Sequence, residues 1–251
     1  METAPYRELA APGPVASHVA CLWARGAGTV VVVPDGCADL VWTGSRVIVA
    51  GPSLRAFRSA EPPAGTGAAG VRLRVGATAA VFGVPAHELL DESPDIADVW
   101  PEARHLAERC AEAGSAGGTL RALVDTMAPR VGAAAAVDPV VGGAIRAFAA
   151  TRPRVERRDL GLSPRHLRRR FEAEVGYPPK TLVRVLRLQR FLAAAGAGRT
   201  LADVAHDVGY TDHAHLTRDC RLLTGATPSE LLALGVPGAG DPHLRAGPPL
   251  G

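Results

Sequence analysis

The second half of the chain repeats part of itself at an offset of 49 positions. The matched residues are His166 and His215, Leu167 and Leu216, Arg169 and Arg218, Gly176 and Gly225, Pro179 and Pro228, and Leu182 and Leu231. Identities at one fixed offset that include a glycine and a proline indicate two copies of one structural unit. The repeat therefore predicts two versions of a small helical unit in this half of the chain.

The second copy has the pattern of two helices joined by a glycine turn. The spacing of its apolar residues predicts a short helix over Thr200–Asp207, and Gly209, which tolerates positive φ, ends it. Asp212 then caps a second helix over 213–223, with Leu216 facing inward. Such a pair with a polar outer face is typical of a helix-turn-helix unit, whose second helix enters the DNA major groove.

The first copy has similar signals. Ser163 caps a helix that begins at Pro164, with Leu167 and Phe171 facing inward, and a helix over Thr181–Ala195 joins the two copies. Polar side chains on the outer faces are the candidates for DNA contacts. They are Arg165, His166, Arg168 and Arg169 in the first copy and His213, His215, Arg218 and Arg221 in the second. For Arg165, His166, Arg169, His215 and Arg218 the sequence leaves base reading and phosphate contact open. Arg168 and Arg221 are expected to be phosphate partners or solvated charges.

Charge divides the chain into two unlike halves. The net charge is −3 in residues 1–130 and +6 in residues 131–251, and the window 152–190 alone carries +8. Such a window favours a polyanion as partner, although a solvated basic surface has the same composition. No run of about 18 apolar residues is present, so a membrane-spanning helix is excluded. The first residues also lack the apolar core of a secretory signal, and we expect a cytoplasmic protein.

Residues 139–234 resemble the DNA-binding domain of AraC-type transcriptional regulators. The segments that carry the resemblance are Gly209-Tyr210-Thr211-Asp212 through Gly225-Ala226-Thr227-Pro228, the run from Leu162 to Phe171, and Leu186-Arg187-Leu188. The resemblance implies two helix-turn-helix units on one long helix, reading major-groove faces about 34 Å apart. It also implies a sequence-specific transcriptional regulator with double-stranded DNA and RNA polymerase as partners.

Two positions depart from that family. Cys220 stands where the family usually has Phe, the residue that Phe171 supplies in the first copy. The first helix of the first unit is expected to be short, since the run Val155–Leu160 lacks a few residues, and it also lacks the buried Ala that Ala205 supplies in the second copy. We therefore expect the second unit to be the better-ordered reader of DNA.

The first 85 residues have the pattern of short strands. β-branched runs and alternation predict strands over Thr29–Val33, Cys37–Trp42, Arg46–Ala50 and 71–75. The turn residues Pro34-Asp35-Gly36 predict that the first two strands form a hairpin. Short strands at close spacing favour a small antiparallel barrel or sandwich.

Helices follow the strands. Amphipathic patterns predict them over Pro101–Ala113 and Thr119–Val131 and again from Asp138-Pro139 onward. The predicted fold class is α+β, a β-rich part followed by helices and an all-α C-terminal domain. The predicted segments are a regulatory domain over 1–131, a linker over 132–138, a DNA-binding domain over 139–234 and a disordered tail over 235–251.

The N-terminal half is similar to an uncharacterised β-rich domain that accompanies AraC-type domains. Val33-Pro34-Asp35-Gly36-Cys37-Ala38-Asp39-Leu40, Gly51-Pro52 and Gly70-Val71-Arg72-Leu73-Arg74 carry this similarity. In the wider group this position holds a domain that binds a small-molecule effector or forms a homodimer. The similarity implies one of these two roles for residues 1–130.

Cys37 and Trp42 are the candidates for ligand contacts in this half. Cys37, between Asp35 and Asp39, is a reactive thiol, a ligand contact or a buried strand residue, and as a nucleophile it would make the domain an enzyme. Trp23, Trp42 and Phe57 line a pocket or belong to the core. The histidines of residues 1–130 are singly placed and the four cysteines are scattered, so we expect reduced thiols and neither metal nor cofactor.

Overall fold

The computed structural model describes residues 6–149, 163–195 and 198–236. The strands are β1 (Arg7–Ala10), β2 (Val19–Arg25), β3 (Val31–Val32), β4 (Asp39–Trp42), β5 (Val47–Ala50), β6 (Phe57–Arg58) and β7 (Ala68–Leu73). The helices are α1 (Thr78–Phe82), α2 (Ile96–Val99), α3 (Leu106–Glu112), α4 (Ala116–Ala133), α5 (Pro139–Ala149), α6 (Pro164–Val175), α7 (Pro179–Ala194), α8 (Leu201–Asp207), α9 (His213–Thr224) and α10 (Pro228–Ala233). Strands followed by helices confirm the α+β class.

Five of the strands form one antiparallel sheet in the order β1-β2-β7-β4-β5. Side chains alternate between its two faces, as pleated strands require. Leu40 on β4 and Leu73 on β7 are fully buried in the core that the sheet shares with α4. Asp39 and Arg72, their chain neighbours, lie on the opposite face. One face of the sheet is therefore a core, and the other is a wall with charged groups.

β3 and β6 form a separate two-stranded ribbon in which Val31 pairs with Arg58 and Val32 with Phe57. The predicted hairpin between Thr29–Val33 and Cys37–Trp42 is therefore wrong. β4 pairs with β5 and β7 instead, because both neighbours extend the buried face that Leu40 belongs to. The turn at Gly36, with φ of 87°, leads the chain from the ribbon into the sheet. Together the described residues form no closed barrel.

The strands β1, β2 and β6 lie outside the predicted set, whereas the predicted helices agree with the structure in position. The segment 101–113 consists of a 3-10 turn and α3, and the segment 119–131 lies inside α4. Asp138 caps α5, since its Oδ1 accepts the N–H groups of Val140 and Val141 at 2.9 and 3.3 Å. The first two residues of the predicted linker, 132 and 133, belong to α4, and the remaining five, 134–138, lie between α4 and α5. Most of the predicted tail, from 237 onward, lies outside the described residues.

The repeat of the sequence is a repeat of structure. α6 and α9 each have 12 residues, and each ends at a glycine with positive φ, 95° at Gly176 and 73° at Gly225. A proline begins the next helix in both copies, and Leu182 and Leu231 are both fully buried. The helix α7 contributes the long apolar side that unites the two units in one core.

Candidate nucleic-acid interface and ligand cavity

α6 and α9 are the equivalent second helices of the two units, and both begin with a side-chain cap. The Ser163 Oγ accepts the N–H of His166 at 3.3 Å, and the Asp212 Oδ1 accepts the N–H of His215 at 2.7 Å. This backbone hydrogen bond lowers the pKa of Asp212, so the cap is a carboxylate at neutral pH. The caps define where each helix starts and so which side chains its first turns present.

Seven of the eight candidate DNA-contacting residues are exposed on these helices. They are Arg165, His166, Arg168 and Arg169 on α6 and His213, Arg218 and Arg221 on α9. Arg168 forms an ion pair with Glu172, with 2.8 Å between Nε and Oε1. Arg169 and Arg218, which occupy the same position in the two copies, have no acidic partner within the described residues. Their guanidinium groups are available to bind phosphate oxygens or guanine edges.

His215 is the exception, because it contacts the protein itself. Its side chain is 27% exposed, and its ring packs edge-on against Tyr210 with 5.1 Å between centroids. The Nε2 atom lies 3.1 Å from Nη1 of Arg187 and 3.7 Å from Oδ2 of Asp219. His215, predicted for the outer face, thus lies partly exposed where α9 meets α7, and its contact with DNA stays a prediction. Its contacts fix the position of α9 on α7, since Arg187 belongs to the connecting helix.

Asp219 is the centre of this contact between α7 and α9. Its side chain is 5% exposed and lies 3.7 Å from Arg184 and 3.8 Å from Arg187. The guanidinium of Arg187 also lies 5.2 Å from the centre of the Tyr210 ring, within cation–π range. The sequence analysis did not select Asp219 or Arg187. The signal that could have found Asp219 is its i, i+4 spacing from His215 on α9.

The positions where the sequence departs from the family have different outcomes. Cys220 and Phe171 are both fully buried at equivalent places, so each is the core residue of its unit. The run Val155–Leu160, for which the sequence predicts a short helix, lies outside the described residues. That the second unit is the better-ordered reader of DNA therefore stays a prediction.

A cavity of about 470 Å³ lies between the charged face of the large sheet and the β3–β6 ribbon. Most of its wall is apolar, and the aromatic rings of Tyr6, Trp23 and Phe57 contribute to it. Gln189, on the connecting helix α7, also lines it. The cavity therefore touches both the N-terminal sheet and the helix that carries the two helix-turn-helix units.

The floor of the cavity carries a buried charge cluster around Arg72. Its guanidinium lies 3.3 Å from Asp39, 3.5 Å from Asp35 and 3.7 Å from Glu8. The Trp23 Nε1 also donates to Asp39 at 2.8 Å. Burial raises the pKa of Asp39, although Arg72 acts in the opposite direction. The cluster is a polar anchor in otherwise apolar surroundings.

Cys37 lines this cavity, with its backbone N–H donating to Asp35 at 2.9 Å. Burial, and then the charge of Asp35, raise the pKa of its thiol well above the ordinary value. The thiol is therefore protonated at neutral pH, and none of the described residues that line the cavity is a histidine that could act as a base. This environment suits a ligand contact and does not favour a nucleophile.

The structure separates the aromatic candidates. Trp42 is 7% exposed and packs in the core on the helical side of the sheet, so its assignment as a ligand contact is wrong. Trp23 and Phe57 line the cavity. Alternation along β4 explains the difference, because Trp42 shares a face with Leu40 and not with Asp39. Within the described ranges, no helix is long and apolar enough to cross a membrane and no cluster of side chains could hold a metal ion.

Comparison with known families assigns both halves of the chain. A helix-turn-helix domain family matches residues 158–233, and a domain of unknown function, DUF6597, matches residues 7–95. No curated protein and no solved structure matches the chain. The helix-turn-helix domain is of the AraC type, which supports a DNA-binding regulator, and the N-terminal DUF6597 domain is uncharacterised. The chain thus combines an AraC-type helix-turn-helix domain with an N-terminal DUF6597 domain.

Proposed function

We propose that the protein is a sequence-specific transcriptional regulator whose N-terminal domain senses a small molecule. The observation that carries the proposal is the pair of equivalent helices α6 and α9, which present Arg169 and Arg218 without acidic partners in the described structure. Both helices belong to a unit of the AraC type. A second contact or a switch is expected, since one such domain reads a short site.

Each helix contributes a set of side chains to DNA. Arg165, His166 and Arg169 on α6, and His213 and Arg218 on α9, are the proposed readers of bases, because they lie on the exposed side of the first turns. Arg168 and Arg221 are the proposed phosphate contacts. His215 positions α9, since its ring is engaged with Tyr210 and Arg187.

The cavity is the proposed effector site. Its volume of about 470 Å³ is in the range of small-molecule sites, which are mostly apolar with a few placed polar groups. Apolar walls and the Arg72 cluster suit a ligand with an apolar body and one polar or charged group, and Cys37 is a proposed contact to it. Homodimerisation through the N-terminal domain, contact with RNA polymerase and a cytoplasmic location belong to the same proposal.

Selection of bound duplexes from fragmented genomic DNA tests the proposal. The full chain should enrich a two-part site, with the two parts about 34 Å apart along the duplex. Binding should weaken with salt, with log K falling by about 0.9 per phosphate contact against log salt concentration. Equal affinity for the enriched site and a scrambled duplex would refute sequence-specific binding. A metabolite mixture that leaves both affinity and thermal stability unchanged would contradict the sensing role.

A further inference from the structure

We propose that the β3–β6 ribbon transmits the state of the cavity to the DNA-binding helices. This inference rests on the proposed function and names the regulation of the same site. The ribbon forms part of the cavity wall through Val31, Val32 and Phe57. The segments that flank the same ribbon are hydrogen-bonded to the connecting helix α7 and to α9, the second helix of the second unit.

Two hydrogen bonds join the segments that flank the ribbon to the helices. The Gln189 Nε2 on α7 donates to the Pro34 carbonyl at 2.7 Å, and the Ala56 N–H donates to the Leu223 carbonyl on α9 at 2.7 Å. Gln189 is 5% exposed, so its amide is held in a dry environment where loss of a partner is costly. The ribbon therefore has a defined position on both helices.

Both bonds lie at the same end of the ribbon. Pro34 follows β3 by two residues and Ala56 immediately precedes β6, and the pairing of Val32 with Phe57 places these two segments side by side. Apolar contacts support this end, because Val33 is 5% exposed within the core of the helical domain. A displacement of the ribbon at the cavity moves the two bonds together.

The turn after β3 reaches from the helices to the charge cluster. Gly36 packs so closely that a Cβ there would lie 3.2 Å from both Leu182 Cδ1 and the Tyr177 hydroxyl. Asp35, its chain neighbour, lies 3.5 Å from Arg72 on the cavity floor. A ligand that engages Arg72 or Asp35, or that separates the ribbon from the sheet, thus acts on a segment attached to α7. Since α7 connects the two helix-turn-helix units, a movement of this segment changes the distance between α6 and α9.

A cavity-filling variant tests this without knowledge of the ligand. Val41→Phe, on β4, adds a ring to the cavity wall opposite the ribbon and lies outside the DNA-binding helices. In the full chain we expect it to change the affinity for the selected DNA site by about fivefold or more. In a Gln189→Met background, which lacks the ribbon bond, the same change should have less than about a twofold effect. Ala56→Pro, which removes the donor to Leu223, is a second background, and Ala193→Met at an exposed position of α7 is the control.

Hydrogen–deuterium exchange on the same full-length variants supplies a readout that needs no DNA. Val41→Phe should alter exchange in the ribbon, α7 and α9, and Gln189→Met should confine the change to the ribbon and sheet. If the wild type binds its site specifically but Val41→Phe alters neither DNA affinity nor exchange in α7, the coupling is refuted, whereas the proposed function as a sequence-specific regulator is upheld. If α7 responds but no duplex is preferred, the proposed function fails and the coupling stands. Equal effects of Val41→Phe in all backgrounds would also overturn the ribbon as the transmitter.

Discussion

Replacement of Arg218 or Arg169 by alanine should remove sequence preference at one half of the DNA site while leaving the fold intact. Both side chains are exposed and have no acidic partner among the described residues, so little folding energy depends on them. An exposed substitution of this kind changes the free energy of unfolding by about 0.5 kcal/mol or less. A change in DNA affinity therefore reports the lost contact.

The magnitude follows from the type of contact. A bidentate arginine–guanine pair contributes about 1–3 kcal/mol of discrimination, which corresponds to roughly 5- to 150-fold in Kd. Because the two arginines occupy equivalent positions 49 residues apart, Arg218→Ala should affect one part of the site and Arg169→Ala the other. A phosphate contact would weaken all duplexes by the same factor and lower the salt slope by about one.

The assay is a titration of the selected site, of duplexes with single base changes in each part, and of a scrambled duplex. Arg168→Ala is the matched control, since that side chain is exposed on α6 and paired with Glu172. We expect it to weaken every duplex alike. If Arg169→Ala and Arg218→Ala also weaken every duplex alike, their assignment as base readers is wrong. If only α6 substitutions matter, the expectation that the second unit is the better reader is wrong.

Three further predictions concern the rest of the molecule. Asp219→Asn removes the carboxylate that Arg184, Arg187 and His215 surround, and urea unfolding should show a free energy of unfolding lower by about 1–3 kcal/mol. The control is Asp207→Asn, which removes an exposed ion pair and should change the free energy of unfolding little. Equal losses in the two variants would contradict a central role for Asp219. Gly36→Ala places an alanine at φ of 87°, which should cost about 1–2 kcal/mol in thermal unfolding, whereas a neutral result would show that the turn relaxes freely. The Cys37 thiol should react slowly with iodoacetamide at neutral pH and faster only at pH above its ordinary range, because its raised pKa keeps it protonated; rapid labelling of the folded protein at pH 7 would refute this.

Much of the helical domain follows from local signals in the sequence. The caps at Ser163 and Asp212, the glycines that end α6 and α9, and the prolines that begin the next helices act within a few residues of themselves. Such signals do not depend on what the rest of the chain does. The repeat at a fixed offset adds that two similar units exist, and exposure of Arg169 and Arg218 follows from the helical period.

Partners that are distant in sequence were decided only by the tertiary structure. Strand signals around 29–42 predicted extended segments but not their partners. In the fold, β4 pairs with β5 and β7, because this pairing buries Leu40. The strand β3 pairs with β6 instead. The face of Trp42, the contacts of His215 with Tyr210 and Arg187, and the charge cluster at Arg72 have the same origin. The sequence alone determined the helices from α3 to α9, the caps at Ser163 and Asp212 and the basic character of the second half, because those depend on neighbours along the chain. The cavity and the attachment of the ribbon to α7 and α9 required the whole fold, because hydrophobic burial acts between residues that only folding brings together.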